Sequence, residues 1–370
     1  MKTRAAVVYE AGKPAVIEEL ELKDPAEGEV IIKYIASGLC HSDLHIMTGD
    51  LEARLPMVLG HEGAGIIEKI GPGVTRVKVG DHVVCSFIPN CGTCRYCANG
   101  QQSICDMGAS ILDGILPSGK YPMTGPRGDY GGMCMIGTFS QYGCINQASV
   151  VKVDDDLPLD KAVLVGCGVP TGWGSAVNTA DVKPGETVCV IGVGGIGINA
   201  VQGARYAGAK NVIAIDPLEN KREKALELGA THAFASTEEA MEAVADLTRG
   251  QMADSAILTV GVMTQEVITG GFNIIGKGGD VVVTGLNKID LNNIVLPASV
   301  LTLFRKNIKG SLFGDCNPTY DIPKILSLYQ SGDLKLDELI TKEYTLDQVN
   351  EGYADLEAGK NIRGVMIHEH

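Results

Sequence analysis

The chain is poor in positive charge. Its 31 Lys and Arg stand against 45 Asp and Glu, a formal charge of −14 and a pI near 5.0, which argues against a surface for nucleic acid or an anionic membrane, since both demand basic patches. It also lacks any uninterrupted apolar run of membrane length, and Met1 to Glu10 has no sustained apolar core of the kind a signal peptide carries. The expectation is a cytoplasmic protein that acts on small molecules. No internal repeat and no low-complexity segment occurs in the 370 residues, which suffice for two domains with cores of their own. Nor do the cysteines come in an even number: eleven in so large a chain point away from a disulfide framework and toward metal binding.

What is present centres on Gly60-His61-Glu62-Gly63-Ala64-Gly65, followed by Gly71 and Val74. Cys40 lies upstream in Gly38-Leu39-Cys40-His41-Ser42-Asp43, and Cys167 far downstream in Gly166-Cys167-Gly168-Val169-Pro170. Two thiolates and an imidazole suit a zinc ion whose fourth position stays open for water or substrate. The competing reading makes the cysteines small buried hydrophobes and His61 a satisfied core histidine. Their setting among glycines and polar residues favours the metal. A second set, Cys91-Gly92-Thr93-Cys94-Arg95-Tyr96-Cys97 with Cys105, has the spacing of a closed four-thiolate zinc site. Its alternatives are an iron–sulfur cluster or unliganded thiols. A lobe so polar should draw its folding free energy from the metal. Cys85, Cys134, Cys144, Cys189 and Cys316 are left as structural thiols.

From Arg4 to about Ser37, short β-branched runs alternate with Gly, Pro and charged breaks, and the runs at 65–70 and 82–87 continue the pattern, which predicts antiparallel strands. Asp106 to Gly137 has little periodicity and reads as a long loop, while 137–142 and 150–153 return to strand-like sequence. Leu159 to Val165 reads as a helix that delivers Cys167. After Pro170 the composition shifts. An apolar strand at 187–191 runs into Gly192-Val193-Gly194-Gly195-Ile196-Gly197 and a helix to about Ala207, a second strand follows at 211–215, and Asp216 closes it. In that context the glycines form a dinucleotide fingerprint, with amides free to approach a pyrophosphate at the helix amino terminus. Asp216 should accept from ribose hydroxyls and repel a 2′-phosphate, favouring NAD, although Lys221 and Arg222 keep NADP open. Further strands at 232–235, 255–260, 281–285 and 307–312 predict a doubly wound sheet of six parallel strands. Helices near 322–329 and 346–356 then precede a last strand at 364–368.

The pattern G-H-E-x2-G-x5-G-x2-V, with Cys40 and Cys167 at these distances, resembles the signature of the zinc-dependent alcohol dehydrogenases of the medium-chain dehydrogenase/reductase family, over essentially the whole chain. The runs 131–134, 137–143 and 361–365 resemble a narrower branch, the nicotinoprotein alcohol dehydrogenases, which hold NAD tightly and are assayed with nitrosodimethylaniline as electron acceptor. The resemblance implies a GroES-like β-barrel catalytic domain over 1–169 with a structural-zinc lobe at about 90–106, a Rossmann NAD-binding domain over 170–312, and a return to the catalytic domain over 313–370. It implies two zinc ions per subunit, one catalytic and one structural, and NAD(H). Ser42 and His45 would relay the alcohol proton, Asp43 would hold His61 in its ligating tautomer, and Glu62 could adjust the metal's coordination. By the same comparison His41 and Arg363 look like pyrophosphate contacts, Thr171 and Ile196 cofactor contacts, and Leu51, Phe87 and Leu286 substrate-pocket positions for an uncharged alcohol. Outside the resemblance, Ser42 reads equally as a helix cap and His45 as a surface histidine. The resemblance further implies a homodimer or homotetramer, with an external electron acceptor for bound NADH.

Two rival readings remain at this level. A glutathione- or mycothiol-dependent formaldehyde dehydrogenase would share both zincs and would need charged anchors such as Asp50, Glu52 and Arg54. A non-catalytic redox sensor would use the four-cysteine lobe as an interaction module, but Cys40, His61 and Cys167 would then serve no purpose.

Overall fold

The computed structural model describes residues 1–286 and 293–370. It comprises two compact units, one of Met1–Cys167 with Asn317–His370, the other of Gly168–Cys316.

In the first unit, strands Lys2–Val8, Val16–Leu22, Met123–Gly125, Gly128–Gly132 and Met57–Val58 close into a barrel. Ala5, Val7, Leu20, Leu22, Val58, Met123 and Tyr130 fill it. Two of these strands lie inside the segment 106–137, which the sequence presents as a loop. They are three and five residues long and rich in glycine, so no run of β-branched residues advertises them; Met123 and Tyr130, opposite one another across the pair, supply the inward-facing bulk. The strand-like run 137–142 is also displaced, since the strand there is Tyr142–Asn146.

The second sheet of this unit is built on Glu29–Gly38, buried along most of its length, which pairs antiparallel with Gly63–Ile70, Tyr142–Asn146 and Arg363–Ile367. The last of these pairings matters for the site. It brings the carboxy-terminal strand beside Gly38, and Leu39 donates its amide to the Gly364 carbonyl at 3.0 Å.

His368 follows that strand, with Nε2 2.9 Å from Ser37 Oγ. Burial, reinforced by nearby His370, pushes its pKa down to about 3. An unfolded chain protonates this histidine first, near 6.5, so the stability due to the neutral ring is present above that pH and is lost as pH falls toward 3. His368→Gln should therefore flatten the acid side of the stability curve between pH 6 and 4 by up to about 1.4 kcal/mol per pH unit. Thermal unfolding across that range, with equal slopes for both proteins, would show the ring to be charged in the native state.

The second unit is a six-stranded parallel sheet, ordered His232–Phe234, Asn211–Ile215, Thr187–Ile191, Ala253–Leu258, Ile275–Val283, Asn307–Gly310. Strands Thr187–Ile191 and Asn211–Ile215 are fully buried and apolar after their first residue rather than alternating, as a parallel sheet covered on both faces requires. Chain order reverses on either side of Thr187–Ile191, so its carboxyl end is the switch point where doubly wound sheets bind ligands. Gly192 begins there. The expected fold class, a GroES-like β-barrel unit plus a six-stranded doubly wound sheet, is the one observed. No helix among the described residues is long and apolar enough to cross a membrane.

Candidate active site and metal centres

Two clusters of metal-ligating side chains occur among the described residues, both in the first unit. In the lobe, Cys91 and Cys97 Sγ are 3.9 Å apart, as are those of Cys94 and Cys105. A tetrahedron with zinc–sulfur bonds of about 2.3 Å has edges of about 3.8 Å, so the four thiols fit the ion. Burial opposes ionisation of Cys91, but the amides of Thr93 and Cys94 and the Thr93 hydroxyl outweigh it and bring the thiol down to about 6. Those N–H···S contacts come from tight turns, and Gly92, at φ 79°, permits the first.

The other cluster is buried. Strand Glu29–Gly38 delivers Cys40 as the residue preceding helix His41–Thr48. Gly38 leaves room that no side chain could share, because a β-carbon there would collide with the Glu62 carboxylate and approach the Arg363 guanidinium. Asp43, in the first helical turn, accepts the Gly60 amide at 2.8 Å. Gly60 adopts φ 91°, with Thr138 and Phe139 packed where a side chain would project, so the turn into His61 needs glycine. His61 Nδ1 then lies 3.0 Å from Asp43 Oδ2, and its ring stands edge-on to Phe87 at 5.8 Å. The short helix Leu159–Ala162 continues as a 3₁₀ turn, Val163–Gly166, that ends at Cys167. Ligand atoms of Cys40, His61, Glu62 and Cys167 all fall within 4.8 Å of one another.

The electrostatics of this cluster are those of a site made for a cation. Cys167 hydrogen-bonds Cys40 and, against the opposing effect of burial, holds the Cys40 thiol well below its usual range; Cys167 itself is held well above. His61 Nε2 is buried with no hydrogen-bond partner, the condition of a ring nitrogen awaiting a metal. The S₂N donor set is one that zinc prefers, and Glu62 adds an oxygen beside it. Burial pushes Glu62 up to about 7, although Arg363 pairs with it and works the other way. Arg363, expected at a pyrophosphate, is itself buried in this cluster because its strand lies beside Gly38.

Of the remaining expected residues, Ser42 Oγ is 3.8 Å from Cys40 Sγ. His45 is buried, with Nδ1 3.6 Å from Asp50 Oδ2, and Leu51 donates its amide to the His45 carbonyl at 2.9 Å. His41 is exposed at the helix start. Arg54, named as an anchor for a thiol adduct, lies over the Tyr121 ring at 4.0 Å. In the second unit Gly192, at φ 86°, turns the chain, and a β-carbon on Gly197 would strike the Gly192 carbonyl. Gly194 is open toward Lys221 Nζ. Gly195 and Ile196 complete the turn, each accepting from the Asn199 residue through its carbonyl. Asp216 accepts the Val193 amide on Oδ2 and the Leu218 amide on Oδ1, both at 2.9 Å, which leaves lone pairs on both oxygens. Arg222 is committed to the Asp216 and Pro217 carbonyls at 2.8 Å. Thr171 is buried and Leu286 exposed. Sequence reasoning missed Thr259, whose hydroxyl donates to the Gly192 carbonyl at 2.5 Å, and Thr138, which donates to the Glu62 carbonyl at 2.9 Å. Thr259 belongs to no motif, and Thr138, although inside the run 137–143, is given no role by it; only the fold brings both in.

Family profiles match in two places: "Alcohol dehydrogenase GroES-like domain" over residues 26–155 and "Zinc-binding dehydrogenase" over residues 195–331. The chain is 64% identical over 368 residues, covering 100% of itself and 99% of the relative, to the NDMA-dependent alcohol dehydrogenase of Amycolatopsis methanolica. The chain belongs to the zinc-dependent alcohol dehydrogenases. This dehydrogenase is also 45% identical to alcohol dehydrogenase B of Mycobacterium tuberculosis, over 99% of the chain and 98% of that protein. Among solved structures, the benzyl alcohol dehydrogenase of Acinetobacter calcoaceticus matches it with a TM-score of 0.93 at 30% identity, over 100% of both chains. It is an oxidoreductase acting on alcohols, with zinc and a nicotinamide dinucleotide as cofactors.

Proposed function

We propose that the dehydrogenase converts a primary or other small uncharged alcohol reversibly to its aldehyde or ketone, using NAD at Gly192–Gly197 and Asp216, and that Cys40, His61 and Cys167 hold the catalytic zinc while Cys91, Cys94, Cys97 and Cys105 hold the structural one. The observation that carries this reading is the gathering of the buried Cys40, His61 and Cys167 ligand atoms within 4.8 Å of one another, the imidazole Nε2 having no hydrogen-bond partner, with Ser42 Oγ 3.8 Å from Cys40 Sγ. Zinc supplies Lewis acidity to the alcohol oxygen, and the dinucleotide supplies the hydride acceptor.

The chain supplies the rest. Ser42 Oγ would take the hydroxyl proton of the substrate as it gives up its own, and His45, in the same helix, would receive the relayed proton and pass it to solvent. Asp43 orients His61, and Phe87, Leu51 and Leu286 give the substrate site its apolar character. His41 serves the pyrophosphate and Thr171 the nicotinamide, while Arg363, buried and paired with Glu62, steadies the metal cluster. Glu62, buried among the ligands and paired with Arg363, adjusts the metal's coordination. The similarity to an enzyme named NDMA-dependent supports a nicotinoprotein that recycles NAD in place and passes electrons to an external acceptor. Denaturing the dialysed protein and assaying the supernatant tests this: near-stoichiometric NAD(H), with turnover only when an artificial acceptor is added, is expected. An empty protein driven by added NAD⁺ would make it a conventional, exchanging dehydrogenase. A cytoplasmic homodimer or homotetramer completes the proposal, and sedimentation as a monomer would remove that part.

Asp216 supplies a separate test. Asp216→Asn keeps an acceptor for the Val193 amide but removes the charge that repels a 2′-phosphate. Its preference for NAD over NADP should shrink by roughly tenfold to a hundredfold, the size of one lost charged interaction. Binding of the two dinucleotides to stripped protein measures it, and an unchanged ratio would assign the discrimination elsewhere.

A further inference from the structure

Tyr353 is a buried polar group that this reaction leaves unused. It lies in helix Val349–Glu357, 2% exposed, and its hydroxyl has no hydrogen-bond partner. Burying a hydroxyl unbonded is costly, so such a group calls for an explanation.

Its surroundings supply one. The neighbouring Gly352 has no room for a β-carbon because the Leu39 side chain, one residue before Cys40, fills the space. The Tyr353 ring packs tilted against Phe139 at 6.2 Å, and Phe139 is bonded through its amide to the Leu59 carbonyl, next to Gly60 and His61. The helix is thus laid over the segments that carry two proposed ligands. Asp43 Oδ2 and His61 Nδ1, although 3.0 Å apart, are both buried without a well-aligned hydrogen bond. Tyr353 Oη and Asp43 Oδ2 are thus both buried and unsatisfied, and among the acidic groups around the phenol Asp43 acts on it most strongly, ahead of Cys40 and Glu62. Burial first, and these negative neighbours second, hold the phenol proton well above its usual range, so the group is a donor.

We infer that Tyr353 donates its hydroxyl proton in a hydrogen bond to Asp43 and so completes a chain, Tyr353–Asp43–His61, that fixes the imidazole for the metal. Tyr353 is then a positioning residue on the helix that returns from the far end of the sequence. The inference rests on the metal role proposed for His61. A carboxylate anchored from one side only, by the Gly60 amide, can rotate about that bond; a second donor removes the freedom. Partners of this kind are typically worth tenfold to a hundredfold in metal affinity.

Tyr353→Phe removes one oxygen and keeps the ring that packs on Phe139. The variant should release the buried zinc to a chromophoric chelator about tenfold faster than the parent, with the lobe zinc unaffected. The visible bands of the cobalt-substituted protein should shift, and kcat should fall more than KM changes. In an Asp43→Asn background the same substitution should add little, since the two residues act through one bond. Parental release rate and cobalt spectrum in Tyr353→Phe, or full additivity with Asp43→Asn, would overturn the inference and leave Tyr353 a packing residue. The underlying metal assignment fails differently: the parent would then hold one zinc per chain, and Cys40→Ser would not reduce it.

Discussion

Replacing Cys40 by serine should lower alcohol turnover by at least about a thousandfold, because the metal's contribution to such a reaction is several kcal/mol and each 1.36 kcal/mol is a factor of ten. Serine is close to isosteric, but its hydroxyl does not ionise near neutral pH, and the pairing with Cys167 that holds Cys40 well below the usual thiol range would have no counterpart. His61 Nε2, already without a protein partner, would face a set with a single thiol. Metal content should fall from two zincs per chain to one. The fold should survive, since the Glu29–Gly38 sheet and the barrel core do not depend on the sulfur. Dinucleotide retention should also survive, because Gly192, Gly197 and Asp216 belong to the other unit. Cys189→Ala is the matched control. That thiol is fully buried in strand Thr187–Ile191 and pushed up to about 12 by burial alone, so its loss should leave turnover within a few-fold. Activity persisting in Cys40→Ser, with zinc still at two per chain, would sink the catalytic-metal assignment.

The contrast between those two cysteines shows what is legible in the chain itself. Cys189 sits in an unbroken apolar run, whereas Cys40 is preceded by glycine and leucine and followed by His, Ser and Asp, a local polarity that marks it as something other than core. The parallel strands are equally legible, because 187–191 and 211–215 are buried on both faces and therefore apolar nearly end to end. The barrel strands at 123–125 and 128–132 are not. They are glycine-rich, and their partners outside their own hairpin lie many positions away, so pairing rather than propensity makes them strands. Helix His41–Thr48 is hidden for a similar reason, since its composition is polar and its stability comes from burying Asp43, His45, Ile46 and Met47. The site's outer partners fall in the same class. Thr138, Tyr353 and the Glu62–Arg363 pair are joined by sheet register and by the returning chain, with 301 positions between the members of that ion pair. Motif spacing encodes the ligands that share a turn, but not the groups that steady them.

Removing one lobe thiol should have the second large effect, and on order rather than chemistry. Cys94→Ser should cost the protein its second zinc and leave residues 91–105 open to proteolysis, while the alcohol-binding metal stays. The lobe has little else to hold it: its regular structure is the four-residue helix Arg95–Ala98 and a single 3₁₀ turn, Gln102–Ile104, and Ile104, its aliphatic side chain, is 42% exposed. Anchorage to the body runs through the residue before it, where Asn90 takes the Arg76 guanidinium on its carbonyl at 2.6 Å and donates to Asn317 and Thr319 at 2.8 and 2.6 Å. Those bonds fix where the lobe starts, not its path. Structural zinc contributes about 10 kcal/mol or more of binding free energy in small domains, far beyond what such a loop gains by burial. The thiols also differ before metal binds, with Cys91 brought down to about 6 and Cys105 pushed up to about 12, mainly by burial. Zinc must therefore expel protons at neutral pH, and its uptake by chelator-stripped protein should acidify a weakly buffered solution. The barrel and dinucleotide cores should still melt cooperatively in Cys94→Ser, since local opening need not spread to elements packed elsewhere. A variant that kept its protease resistance at 91–105 with one zinc per chain would show that the lobe folds on its own contacts, and the role given to its metal would be wrong.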